Sequence, residues 1–153
     1  MSLTFNAPLS GKVVALEDVP DPVFSGEIVG PGVAIIPDAT EDVTVVSPVA
    51  GKIIKIHPHA FVILTDEKVG ALVHLGLDTV ELDGEGFQVH RENKAEVTVG
   101  EEMVTWNPVE IEKGGRNPIV PVIAMETKKE QLSVVPEIGS VVKAGDPLLK
   151  VEI

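Results

Sequence analysis

With 14 glycines and 12 prolines, the chain is broken into apolar stretches too short for ordinary helices. These stretches are rich in Val and Ile and end at Gly, Pro or Asp. They run over Lys12–Leu16, Ile28–Ile36, Val43–Val46, Gly51–Ile56, Phe61–Thr65, Ala71–Leu77, Val97–Val99, Ile119–Ala124 and Leu148–Ile153. No segment of helical length carries an i, i+3, i+4, i+7 stripe. Short β-branched runs between regularly spaced turn residues predict strands. The expected fold is all-β, an antiparallel sandwich over residues 1–153 as one domain.

Two weak internal repeats fit that fold. Ala7-Pro8-Leu9-Ser10-Gly11-Lys12-Val13-Val14 resembles Ser47-Pro48-Val49-Ala50-Gly51-Lys52-Ile53-Ile54. Val97-Thr98-Val99-Gly100-Glu101 resembles Val142-Lys143-Ala144-Gly145-Asp146. The first pair gives a Pro-containing turn into a Gly-Lys-led strand, and in the second valine leads into a turn whose glycine suits positive φ. The pairs predict two similar β-layers facing each other, and they speak to fold rather than chemistry.

Chemistry enters at residues 59–78. Two apolar runs flank the polar turn Asp66-Glu67-Lys68, the pattern of a hairpin. A two-residue loop places His59 opposite His74, and a four-residue loop places Phe61 there with His59 on the diagonal. An odd loop would pair His74 with an even-numbered residue and turn His59 away. The even registers are expected, because they bring the two imidazoles together beside Phe61 and Ile63. Alternation also predicts His74, Gly76 and Asp78 on one face, with Val73, Leu75 and Leu77 on the core face.

Composition narrows what such a pair can do. There is no Cys and no Tyr, so thiolate catalysis, disulfides and Cys-based zinc sites are excluded. Acidic residues outnumber basic ones 24 to 12, a net charge of -12. That balance argues against nucleic acid and against anionic membranes. No apolar run reaches ~18 residues, so direct membrane insertion is not expected. The N-terminus has no secretory pattern, so a cytoplasmic protein is expected. Two histidines without a thiol leave three readings open: a metal site, phosphoryl transfer on one histidine, or two strand histidines with no role.

The motifs His59-Ala60-Phe61 and Val73-His74-Leu75-Gly76-Leu77-Asp78-Thr79-Val80-Glu81-Leu82 resemble the glucose-type enzyme IIA family of the bacterial phosphoenolpyruvate-dependent sugar phosphotransferase system. Gly84-Glu85-Gly86-Phe87, Ala7-Pro8-Leu9-Ser10-Gly11, Leu16 to Phe24 and Val142 to Asp146 fit the same family, so the likeness spans nearly the whole chain.

The resemblance implies a β-sandwich of the barrel-sandwich hybrid type. It implies His74 as the phosphorylated nucleophile, through Nε2, and His59 as the residue that steadies the phosphoryl group. Gly76 would offer its carbonyl to Nδ1 of His74, and Asp78 would meet a partner's arginine. Asp21, Val23, Phe24 and Phe61 would belong to the surface on which partners dock. The donor would be the histidine-containing phosphocarrier protein (HPr), and the acceptor the IIB domain of a sugar permease. Regulatory protein partners are implied for some members. No cofactor and no metal is implied.

Departures from the family are local. His57-Pro58 stands where members often carry a threonine that supports the site, and His90 matches no catalytic position. The chain begins almost at its first strand, so an amphipathic N-terminal extension is not expected. A zinc peptidase using His57, His59 and His74 is a rival reading. A biotinyl-type carrier is another, but Glu126 stands where its modified lysine would be.

Overall fold

The computed structural model describes residues 2–38 and 41–153. The chain forms β1 (Ser2–Asn6), β2 (Gly11–Ala15), α1 (Pro22–Ser25), β3 (Gly32–Pro37), β4 (Val43–Val46), β5 (Gly51–His57), β6 (Ala60–Leu64) and β7 (Gly70–His74). It continues with β8 (Phe87–Val89), β9 (Glu96–Val97), β10 (Glu102–Trp106), α2 (Pro108–Lys113), β11 (Val120–Met125), β12 (Leu132–Val134), β13 (Val141–Val142) and β14 (Pro147–Glu152). Every strand pairing is antiparallel. The all-β sandwich expected from the sequence is the fold found. The sequence reading had not marked β1, β8, β10 or β12. Both short helices follow a capping pattern, with Asp21 or Asn107 as N-cap and proline in the first turn.

Eight strands form one sheet in the order β13-β2-β3-β11-β7-β6-β5-β9. Two smaller sheets run β1-β14-β12 and β4-β10-β8. Counted outward from the β11–β7 pair, the halves of the large sheet correspond strand for strand, and so do the small sheets. Hydrogen bonds at the repeats confirm the correspondence. The Asn6 amide donates to the Pro48 carbonyl and the Val46 amide to the Pro8 carbonyl, each at 2.9 Å. Ala7 exchanges bonds with Asp146 and Gly145 as Ser47 does with Glu101 and Gly100. Asp146 and Glu101 each accept a turn amide, from Lys143 and Thr98. Gly11 and Gly51 answer the same demand: a Cβ would strike the Ile36 carbonyl in one case and the Leu64 carbonyl in the other. The expectation of one layer per repeat is corrected, since each repeat supplies half of the large sheet and one small sheet.

The main core lies between the sheets, where Phe5, Ile35, Ile53, Phe61, Ile63, Val73, Leu75, Trp106, Val122 and Leu148 are among the buried residues. A second cluster joins Leu16, Val19, Phe24, Ala34, Leu77, Ile119 and Ile123. In β11, Val122 and Ala124 belong to the first cluster and Ile123 to the second. The centre of the large sheet is therefore covered on both faces, and β11 can read as an unbroken apolar run. The second cluster, through Phe24, is the floor on which His74 stands.

Candidate functional site

His74 is the last residue of β7, and alternation decides its direction. Ala71 and Val73 enter the main core, so Leu72 and His74 turn to the opposite face. There the ring of Phe24, brought in by α1, lies 5.2 Å from the His74 ring. The strand ends at His74 rather than at Leu77 as expected. Gly76 follows with φ 81° and Asp78 with φ 59°, so the chain turns and no longer alternates. Leu77 thereby joins the second cluster.

The turn fixes the His74 ring. Nδ1 lies 2.6 Å from the Gly76 carbonyl oxygen. A carbonyl only accepts, so Nδ1 carries the proton and Nε2 keeps a free lone pair. Other bonds hold Gly76 itself. Its amide donates to the Ile119 carbonyl (3.0 Å), and the Leu77 amide donates to the Asn117 carbonyl (2.8 Å). The buried Thr79 hydroxyl donates to the Leu75 carbonyl at 2.7 Å. Arg116 Nε donates to the Asp78 carbonyl at 3.3 Å, and its guanidinium reaches Glu81 at 3.4 Å. Thr79 sits inside the recognised motif, but its bonding partner could not be read from spacing. Arg116 and Asn117 lie nearly forty residues from the motif, and no local signal marks them.

His59 reaches the site by a route other than the one expected. β6 pairs with β7 so that Ala60 faces His74, Phe61 faces Val73 and Leu64 faces Gly70. That is an odd register, and the expected even one is corrected. Its cause is the turn after β6. The Lys68 amide donates to the Thr65 carbonyl (3.0 Å), and Lys68 takes φ 69°, which is a type I turn closed by a left-handed residue. His59 still meets His74, because His59 is not in a strand. It occupies the two-residue corner Pro58-His59 between β5 and β6. Its carbonyl accepts from the Leu75 amide at 2.7 Å. The two rings stand edge to face, with centroids 5.3 Å apart.

The same register decides Phe61. Its side chain is 1% exposed and packs in the main core, so it presents nothing to a partner. The docking role expected for Phe61 is corrected. Phe24 is also buried, at 6%, and its ring supports His74 from below. Val23 is exposed, as is Val80, which follows Asp78 in a 3-10 helix. Asp21 caps α1 by accepting from the Val23 amide at 3.0 Å.

Burial favours the neutral form of both rings. Burial lowers the proton affinity of His74, against the pull of the Gly76 carbonyl and of the Asp21 and Asp78 carboxylates. Burial lowers that of His59 as well, and the neighbouring His74 and His57 add to the effect. Neutral His74 with Nε2 free is a nucleophile. Among the described residues, no group of three or more His, Cys, Asp or Glu side chains is arranged to hold a metal ion. Met125 ends β11, and Glu126 turns out of it at φ 55°.

A β-sandwich whose outer face presents a free imidazole nitrogen beside a second imidazole belongs to a class suited to phosphoryl transfer on histidine. The sequence profile of the phosphoenolpyruvate-dependent sugar phosphotransferase system, EIIA 1, matches residues 3–131. The glucose-specific EIIA component of Staphylococcus aureus strain COL is 43% identical over 123 residues, covering 79% of this chain and 72% of that one. The protein of the same name from Staphylococcus epidermidis RP62A is 34% identical over 149 residues, covering 96% and 88%. In structure, the glucose permease IIA from Mycoplasma capricolum superposes with a TM-score of 0.88 at 35% identity, covering 98% of this chain and 96% of that one. The chain belongs to the EIIA 1 family of the sugar phosphotransferase system. It is a phosphotransferase component that works through a phosphohistidine and passes phosphate on in sugar uptake.

Proposed function

We propose that His74 carries the phosphoryl group on Nε2, received from HPr and delivered to the IIB domain of a sugar permease. The bond between Nδ1 and the Gly76 carbonyl carries this reading, because it leaves one ring nitrogen free to attack. Transfer is an in-line displacement. The Nε2 lone pair forms the new N–P bond while the donor's N–P bond breaks and its electron pair returns to the donor nitrogen. Attack turns the neutral ring into an imidazolium. The Gly76 carbonyl dipole and the Asp21 and Asp78 carboxylates balance that positive charge. The His59 ring, 5.3 Å from the His74 ring, would donate its N–H to the phosphoryl oxygens. Onward transfer reverses the step with the IIB nucleophile.

The same two carboxylates disfavour a lone phosphoryl dianion. A partner that brings an arginine to Asp78 would remove that penalty when docked, which favours transfer within the complex. Val23, Asp21 and Asp78 are the rim such a partner would meet. Residues 1–153 would act as one EIIA domain in the cytoplasm. No helix of the described residues is long and apolar enough to cross a membrane. The names of the relatives make a glucose-type permease the acceptor to test first.

Incubation with phosphoenolpyruvate, enzyme I and HPr tests the assignment. His74→Gln should take no label. His59→Gln should accept label more slowly and lose more in onward transfer. Label on His74→Gln, or equal abolition of both half-reactions in His59→Gln, would overturn the respective roles.

A further inference from the structure

His57 has no part in the transfer just described, yet it touches the site. Its ring lies 5.6 Å from the His59 ring at an interplanar angle of 21°, an offset, near-parallel stack. The row Phe24, His74, His59, His57 is thus continuous, with centroid spacings of 5.2, 5.3 and 5.6 Å. Phe24 closes its inner end and His57 its outer end.

The two histidines are anchored differently. His74 is held by its bond to Gly76. Among the described residues, no hydrogen bond engages the His59 ring, and its ring neighbours are His74 on one side and His57 on the other. Rotation about χ2 of histidine is broad and weakly restricted by itself.

We propose that His57 is a positioning residue of phosphoryl transfer, whose stacked ring holds the plane in which His59 meets the phosphoryl group. This rests on the roles proposed for His74 and His59. The local chain is built for it. β5 carries a register shift between Ile53 and Lys55, after which His57 pairs with Ala60. His57 and His59 then flank the single residue Pro58, whose ring fixes φ at the corner. Pro58 rests on Gly84, where an added Cβ would come within 3.3 Å of Pro58 Cγ. The corner cannot swing without moving that contact, so the two rings keep their relation.

The test separates stacking from other roles by comparing His57→Phe, which keeps a flat ring, with His57→Ala, which removes it. His57 is exposed, so neither variant should shift the unfolding midpoint. Each is phosphorylated with phosphoenolpyruvate, enzyme I and HPr, then mixed with IIB in a single turnover. His57→Ala should still label on His74 but transfer onward about tenfold more slowly, since small misplacements at a reacting group cost rates of this order. His57→Phe should recover to within about twofold. The His59 ring resonances should move in His57→Ala and stay near their original positions in His57→Phe. Wild-type transfer by His57→Ala, or His57→Phe as slow as His57→Ala, would overturn this inference alone. Failure of the unaltered protein to label would overturn the reading beneath it.

Discussion

Gly76 couples the His74 ring to the backbone beneath it. Its carbonyl sets the His74 tautomer, and its φ of 81° aims that carbonyl. A Cβ there would sit 2.8 Å from Thr79 Cγ2 and 3.1 Å from the Asn117 carbonyl oxygen. Gly76→Ala should therefore destabilise the fold by about 2–4 kcal/mol, combining positive-φ strain with overpacking. It should also slow phosphoryl acceptance. Denaturant titration and the labelling assay check both effects, and a variant unchanged in both would remove Gly76 from the role given it. At this scale the sequence pointed to the residues proposed to bear the chemistry, because His74, Gly76 and Asp78 sit in one unbroken motif. It did not show what each side chain faces. Phe61 lies within two residues of His59, yet it packs in the core because strand alternation turns it away.

Among the elements, the β6–β7 hairpin shows how one turn residue governs a register. Asp66 and Glu67 alone would have given an even register. Including Lys68 in the turn makes the pairing odd and places Ala60 opposite His74. Lys68 pays for this with φ 69°, a conformation that costs a residue bearing a Cβ. Lys68→Gly should relieve that strain and stabilise the protein by about 0.5–1 kcal/mol, with no change in labelling of His74. A loss of stability on equilibrium unfolding would mean that the Lys68 side chain matters more than its backbone. The strand-rich character and most long strands were legible from β-branched runs between turn residues. The edge strands β8 and β12 were not, since three residues carry too little periodicity to read. The correct meeting of His59 with His74 was anticipated for the wrong reason: a corner brings them together, not a cross-strand pair.

Over the whole molecule, two similar halves share one large sheet, and only one half carries the chemistry. The Ala124 amide donates to the Pro31 carbonyl at 2.9 Å, just as the Leu75 amide donates to the His59 carbonyl at 2.7 Å. In that correspondence His59 answers to Pro31 and His74 to Ile123, so the second half offers an apolar pair where the first offers two imidazoles. The site also leaves a mark on global stability. Both histidines have proton affinities below the ordinary value near 6.5. Near neutral pH the rings are uncharged in both folded and unfolded chains. As pH falls through about 6.5, the unfolded chain takes up protons first, so stability should decline with acidification. Urea unfolding across that range should show a shallower decline when His59 and His74 are both replaced by Gln. An unchanged slope would mean that other groups set the acid limit. The sequence by itself determined the strand content and the repeat, because these depend on local periodicity and on residue type, and its motifs carried the resemblance that points to His74 and His59. Tertiary structure decided the hairpin register, the clamp of Arg116 and Asn117 on the His74 turn, and the stack of His57 on His59. Those depend on contacts between distant segments and on the geometry of turns, where one residue more or less reverses which way every following side chain points.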